Sequence, residues 1–308
     1  MTPTVSVLIC TRNRAEELPL ALASVLANPA NPLYEVVIVD QSDDDLTQKV
    51  VETYRQTAPE GVALRHIPTD TRGLSHARNI AIAESCAELL AFTDDDCIVP
   101  SDWVATVASL FADDETLDLV YGQVLMPDEY EGRTDIVVPC LVFDTRRVLE
   151  KGDIFGMGAN MAFRKRLITA IGDYDTVLGA GGRFGGGEDF DFTYRAQLAN
   201  RVVVAEPRLR AVHKSFRTVD KWSQVTYAYG RGDAAFYGKH ARCGDSWAAG
   251  VIRQRIASVF TKNVAKTLLG RAADWSYLRG FREGLKDAQA FPVDAAKRLY
   301  QPEPEAKP

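Results

Sequence analysis

The chain predicts an α/β protein, with a mostly parallel sheet covered by helices on both faces and a helical C-terminal extension. Three observations lead there. Short apolar, β-branched runs alternate with longer segments of helical periodicity. The runs are continuously apolar rather than alternating, as strands buried on both faces require. The length, 308 residues with 46% hydrophobic and 25% charged, suits one large domain or one domain with an appendage.

The elements follow in order. "VSVLIC" is a buried strand that ends in polar "TRNR". In "AEELPLALASVLAN", Leu18, Leu22, Val25 and Leu26 recur at helical spacing. "YEVVIVD" is a second buried strand, ending at Asp40, and "DLTQKVVETYRQT" a helix. "GLSHARNIAIAESC" is a further helix and "AELLAFT" a third strand, which runs straight into Asp94, Asp95 and Asp96. "LDLVYGQVLM" and "GANMAFRKR" read as strands. Six glycines among residues 179–187 make a mobile or tightly turning loop. It feeds "EDFDFTYRAQLAN", where Phe190, Tyr194 and Leu198 mark a helix face. "RVVVAE" is a strand, and "AVHKSFR" follows it.

Composition excludes several classes. The five cysteines (Cys10, Cys86, Cys97, Cys140, Cys243) are scattered and never form C-x-x-C, which argues against a disulfide framework or a zinc site and for a reduced, cytoplasmic setting. No basic segment precedes the first apolar run, so no signal peptide is expected. No apolar stretch approaches the roughly 20 residues of a membrane span. No G-x-G-x-x-G follows the first strand, which excludes a nicotinamide-dependent dehydrogenase. The net charge of -6 conceals an asymmetry: 17 Lys/Arg against 32 Asp/Glu in residues 1–205, then 19 against 10 in residues 206–308. The basic end suits an anionic contact.

Three groups of residues could carry chemistry. Adjacent carboxylates at a strand end repel one another unless a cation offsets them. Mg²⁺ and Mn²⁺ take oxygen ligands, and Mg²⁺ is typically held by one or two carboxylates plus substrate phosphates. In parallel sheets ligands bind beyond the carboxyl ends of strands, where both Asp40 and the triple Asp fall. The plainer alternative for the triple Asp is an acidic cap on the helix around Trp103. A phosphatase of the haloacid dehalogenase type needs D-x-D-x-[TV], but here Cys97 and Ile98 follow Asp96. Glu188 and Asp189 open a helix after the glycine loop, either as capping acids or with a general base beside a closing loop. His213, one of four histidines, is a candidate third metal ligand.

Taken together, these segments resemble a family 2 glycosyltransferase with the GT-A fold, a Rossmann-like, mostly parallel sheet. The matching stretches are "VSVLICTRNR", "VVIVDQSDDD", "GLSHARNIAIAES", "LLAFTDDDCIVPSDW", "GANMAFRK" and "GGGEDFDFTYR", in register over about residues 4–220. The resemblance implies a nucleotide-sugar donor, with Thr11 and Asp40 on the base and Arg12 and Arg78 among the donor-binding residues. It implies a divalent cation, Mn²⁺ or Mg²⁺, on the triple Asp, with His213 as a later ligand. Asp94 would meet the ribose, and the metal would fall to Asp95 or Asp96 according to the register of the D-x-D. Asp189 would be the base, with Glu188 beside it. Where the family often reads VDDGS, this chain has Val39-Asp40-Gln41-Ser42.

The activity this implies is transfer of a sugar, UDP-linked in the family-level expectation, to a hydroxyl of a glycan or lipid-linked glycan with inversion. A sugar-nucleotide nucleotidyltransferase or pyrophosphorylase shares the fold, but "CTRNRAEEL" lacks the glycine-rich loop such enzymes carry. A non-catalytic nucleotide-sugar binder would lack the base. Residues 1–245 are the expected catalytic domain and residues 246–308 the helical extension. There Ile252, Ile256, Phe260, Val264 and Leu268 recur every four residues, with basic residues off that stripe. These helices would pack their apolar faces on the catalytic domain or on a second subunit in a homodimer, or make a peripheral contact on the cytoplasmic membrane face. No nucleic-acid partner is expected.

Overall fold

The computed structural model of the chain describes residues 2–301. Its elements run β1 (Val5–Thr11), α1 (Leu18–Leu26), β2 (Tyr34–Asp40), α2 (Leu46–Arg55), β3 (Ala63–Pro68), α3 (Leu74–Glu84), β4 (Leu89–Thr93) and β5 (Cys97–Ile98). There follow α4 (Trp103–Asp113), β6 (Leu117–Leu125), β7 (Ile136–Val137), β8 (Arg147–Val148), β9 (Asn160–Arg164), α5 (Arg166–Ile171) and α6 (Glu188–Leu198). The last are β10 (Val202–His213), β11 (Arg217–Thr218), α7 (Trp222–Arg242), α8 (Ser246–Leu268), α9 (Ser276–Ala288), β12 (Val293–Asp294) and β13 (Leu299–Tyr300).

The residues divide into two units. The first holds the main sheet and its helices as far as Phe216. Gly73–Ser75 and Tyr174–Phe192 group instead with the described residues from Arg217 onward.

In the first unit the strand order is β3-β2-β1-β4-β9-β6-β10-β5, with β8 also on β10. The strands β3, β2, β1 and β4 are mutually parallel, and β10 is parallel to β6. β9 runs antiparallel between β4 and β6. This is the expected α/β sheet. Val5, Val7, Leu8, Ile9, Val36, Val37, Ile38 and Val39 are all buried, so both faces of β1 and β2 are covered. Leu18, Leu22, Val25 and Leu26 of α1, and Trp103, Val107, Leu110 and Phe111 of α4, join the same core. The Trp103 indole donates to Asn160 Oδ1 at 3.0 Å, and Asn160 Nδ2 donates to the Gln123 carbonyl at 2.8 Å. That pair satisfies two buried polar groups and ties β9 to β6.

Two details differ from the sequence pattern. β3 is a half-exposed edge strand whose apolar signal is weak. The segments "RVVVAE" and "AVHKSFR" are not separate: Val202–His213 is one strand. Its register shifts between Ala205 and Arg210, around Pro207, which cannot donate to a ladder.

In the second unit α7 and α9 cross closely. A Cβ on Gly280 would lie 2.1 Å from the Tyr227 carbonyl, and one on Gly230 would lie 2.2 Å from that of Tyr277. The glycine loop is anchored rather than free of contacts. Phe184 is buried with Val177, Leu178, Ala235, Ala288, Phe291 and Tyr300. Gly187 has φ +86°, and its Cβ would meet the Gly232 carbonyl at 2.8 Å, so two backbones approach where a side chain cannot fit. α8 is a helix as the periodicity requires, but its stripe is only partly covered: Phe260 is 52% and Leu268 82% exposed. Among the described residues no helix is long and apolar enough to cross a membrane.

The glycine crossing gives a stability prediction. Gly280→Ala forces α9 off α7 and is expected to destabilise the protein by about 1–3 kcal/mol, as overpacking does. Urea unfolding checks it, and an unchanged midpoint would show that the crossing relaxes freely.

Candidate active site

The carboxyl ends of β1, β2 and β4 bring their polar residues together in the first unit, because parallel neighbours end on the same edge. Thr11 closes β1, Asp40 closes β2, and Asp94 to Asp96 follow β4. After Asp96 the chain forms β5, which pairs antiparallel with the end of β10 and sets Cys97 opposite His213. The Lys214 amide donates to the Asp96 carbonyl at 2.9 Å, extending this pairing. Pairing of β5 with β10 therefore carries His213 to the acidic turn across more than a hundred residues of chain.

The three carboxylates have different surroundings. One ligand atom each from Asp94, Asp96, Cys97 and His213 lie within 4.8 Å of one another. His213 Nε2 is 3.6 Å from Asp96 Oδ1, while its Nδ1 meets the Ser215 carbonyl at 2.9 Å, which orients the ring. Asp95 lies outside that group. It accepts from Thr11 Oγ1 at 2.7 Å, and the Arg14 Nε is 3.2 Å from its other oxygen. Arg14 also donates through Nη2 to Asp96 Oδ2 at 2.6 Å and to Ser215 Oγ at 2.8 Å.

Burial pushes the Asp95 carboxyl up to about 7; Arg14 and Thr11 oppose this, while Asp96 and Asp94 add to it. Burial also works on Asp96, but the neighbouring His213 and Arg14 outweigh it and hold that carboxyl below its ordinary value. Partial burial disfavours the Arg14 charge, yet Asp95 and Asp96 raise its pKa further. Burial raises the Cys97 thiol well above its ordinary value. Two carboxylates and an imidazole are a donor set that suits Mn²⁺ or Mg²⁺.

The other expected donor residues are placed as follows. Asp40 accepts from the Ser42 amide at 2.9 Å and meets His66 Nε2 at 2.9 Å. Arg78 on α3 is buried, with its guanidinium 5.8 Å from the centre of the Phe92 ring. Arg12 is half-exposed and pairs with Asp43 at 3.7 Å. Arg14 and His66 were not singled out in the sequence. A second basic residue in the "TRNR" loop, facing an acidic turn on the adjacent strand, is the signal that could have found Arg14.

Glu188 and Asp189 lie in the second unit, in the first turn of α6, where the helix dipole favours negative charge. Glu188 is buried and Asp189 half-buried. That turn is held by a buried ionic network. Lys239 Nζ on α7 lies 2.7 Å from Asp191 Oδ1 and 2.6 Å from Asp175 Oδ2. His240 Nε2 is 2.9 Å from the same Asp191 oxygen. Burial lowers the His240 pKa despite Asp191, so the ring is neutral, with Nε2 as the donor to the carboxylate. The Tyr300 amide donates to Asp175 at 2.9 Å, which ties the C-terminal hairpin into the network.

Residues 6–172, just over half of the chain, match the family model for glycosyl transferase family 2, and the chain belongs to that family. It is 27% identical over 189 residues to a glucosyl-dolichyl phosphate glucuronosyltransferase of Haloferax volcanii, covering 58% of each chain. It is 29% identical to a PGL/p-HBAD biosynthesis glycosyltransferase of Mycobacterium bovis, covering 56% of this chain and 64% of the relative. The matches thus span less than two thirds of these relatives' length. Among solved structures, the mannosyltransferase PcManGT from Pyrobaculum calidifontis, in complex with GDP-Man and Mn²⁺, superposes with a TM-score of 0.60. The match has 19% identity and covers 94% of this chain and 86% of that one. The S. aureus TarS 1–349 structure gives a TM-score of 0.54 at 21% identity, over 75% and 65%. These likenesses show the fold, and it is the expected GT-A fold.

The network around α6 carries a prediction. Lys239→Met leaves Asp175 and Asp191 buried without their cation, and is expected to destabilise the protein by about 3–5 kcal/mol. A loss under about 1 kcal/mol in urea unfolding would show that the buried pair does not depend on that cation.

Proposed function

We propose that the chain is an inverting glycosyltransferase. It moves a sugar from a nucleotide-diphospho-sugar, UDP-linked in the first instance, to a hydroxyl of a glycan or lipid-linked glycan. The observation that carries this reading is the convergence of Asp94, Asp96 and His213 at the sheet edge of a family 2 fold. The relative named for glucuronosyl transfer onto glucosyl-dolichyl phosphate supports a lipid-linked acceptor. In this reading the D-x-D takes its literal register: Asp94 and Asp96 hold the divalent cation with His213, and Asp95 is a support gripped by Thr11 and Arg14. Residues 1–245 form the catalytic domain and residues 246–308 its extension, of which 302–308 lie outside the described residues.

Each residue then has a physical task. When bound, the cation supplies positive charge that stabilises the departing diphosphate. Arg14 lowers the repulsion within the acidic turn and orients Asp95 and Asp96. Thr11 and Asp40, the latter braced by His66 and the Ser42 amide, hold the nucleoside, and Arg78 helps fix the nucleotide. Asp189 takes the proton from the acceptor hydroxyl, whose oxygen attacks the anomeric carbon opposite the leaving diphosphate. One displacement inverts that centre, so a single base suffices.

A panel of nucleotide-sugars, scored by thermal shift and by donor hydrolysis with Mn²⁺, tests the reading. One donor class should stabilise the protein, EDTA should abolish turnover, and Mn²⁺ or Mg²⁺ should restore it. Full turnover in chelator would remove the metal role. The Asp189→Asn variant keeps shape but cannot accept a proton. It is expected to lose on the order of 10²-fold or more in kcat with donor binding nearly kept. A fall in donor affinity with turnover intact would make Asp189 a helix cap and assign the base elsewhere.

A further inference from the structure

The segment from α8 through α9 leaves large apolar side chains without protein cover. Phe260 is 52%, Leu268 82%, Leu269 70% and Trp275 39% exposed. Phe260 meets Trp275 edge to face, with ring centroids 5.8 Å apart, so these two form a patch rather than scattered singles. The charge around them is mainly positive. Between Asp245 and Asp274 the sequence holds five Lys/Arg and no Asp/Glu.

α9 continues the arrangement. Trp275, Arg279, Arg282 and Lys286 follow at i, i+4, i+7 and i+11, which places them on one helix face. With Leu278 and Glu283 they line a cavity of about 550 Å³. The opposite face, with Gly280, Phe281, Gly284 and Ala288, is buried. Among the described residues, no ion pair engages Lys262, Lys266, Arg271, Arg282 or Lys286.

Three occupants can be weighed against this chemistry. In a two-fold dimer the same patch meets itself, so a second copy would set this mainly positive charge against its own kind. A nucleic acid would answer the charge but gives Leu268 and Leu269 no apolar phase to enter. An anionic bilayer surface answers both, with phosphates for the guanidinium and ammonium groups and acyl chains just beneath. We infer that the α8–α9 segment is a docking surface for anionic membranes, with Phe260, Leu268, Leu269 and Trp275 entering the interfacial layer and Arg279, Arg282 and Lys286 taking lipid phosphates. The inference does not depend on the transfer chemistry proposed above.

Co-sedimentation of the full chain tests it, using vesicles of phosphatidylcholine alone and of equimolar phosphatidylcholine and phosphatidylglycerol. The protein should pellet with the anionic vesicles and not with the neutral ones, and less so as salt rises. Leu268→Ser/Leu269→Ser and Arg282→Glu/Lys286→Glu alter exposed positions, so both should keep the parent melting temperature. Each should weaken binding on the order of tenfold or more, since a basic residue near the surface is worth roughly fivefold. Three outcomes overturn the inference: the parent stays in the supernatant with both vesicles, the arginine–lysine variant binds as well as the parent, or sedimentation velocity shows a dimer that the leucine variant dissolves. Donor hydrolysis without vesicles reads the transfer reaction separately, because none of these residues belongs to its machinery.

Discussion

Two carboxylates, Asp95 and Asp96, cannot be buried beside a third at the end of a strand unless positive charge is built in next to them. Two unit charges about 4 Å apart interact by roughly 4 kcal/mol at an effective dielectric of 20, comparable to a large part of a domain's net stability. The first unit meets this constraint with one guanidinium. Arg14, from the loop after β1, reaches both Asp95 and Asp96. The remaining negative charge, on Asp94 and the free side of Asp96, sits beside the His213 imidazole. Loop, turn and histidine come from segments far apart in the chain, and only the strand order makes them neighbours. Parallel pairing of β1 with β4 aligns the first two, and antiparallel pairing of β5 with β10 delivers the third. The sheet topology and the electrostatics of the acidic turn are therefore one problem with one solution.

This explains what could be read from the residues and what could not. Strands β1, β2 and β4 were legible because burial on both faces demands unbroken apolar runs, and their polar ends mark the ligand-binding edge of such a sheet. Thr11, Asp40 and the triple Asp could be singled out on that ground. The partners of those residues could not, because a partner depends on strand order. His66 faces Asp40 only because β3 pairs with β2 in a register that sets Ile38 opposite His66 and Asp40 opposite Pro68. The weakly apolar β3 gave little sign of being a strand. The division of labour within Asp94–Asp96 was open in sequence because three identical side chains carry no register. In the structure, the turn into β5 sends Asp95 toward Thr11 and Asp96 toward His213.

The second unit solves a different problem with similar means. A run of glycines leading into acidic residues is flexible by composition, and a helix that begins there needs fixing from outside. Phe184 supplies an apolar anchor within the loop, and Asp191 supplies an ionic one a turn into α6. Burying Lys239 between Asp175 and Asp191 brings little net stability, since desolvation offsets much of the attraction. What such a network gives is a defined geometry: the lysine, His240 and the Tyr300 amide each have a named acceptor, and a slip of α6 by one residue would leave charges unpaired in the interior.

The C-terminal helices show why a regular apolar repeat need not be a packing face. At 3.6 residues per turn, a step of four residues advances about 40° around the helix. Over the four steps from Ile252 to Leu268 the stripe therefore winds through about 160°. A straight helix cannot bury both ends of such a stripe against one neighbour. Ile252, Ile256 and Val264 are half-covered, whereas Phe260 and Leu268 lie open to solvent. α9 behaves differently because Gly280 and Gly284, four residues apart, let one narrow face approach α7 closely. That leaves its Arg279, Arg282 and Lys286 side to the outside. The amphipathic pattern is the same kind in both helices, and the presence or absence of small residues at the contact decides which one spends its apolar face inside the protein.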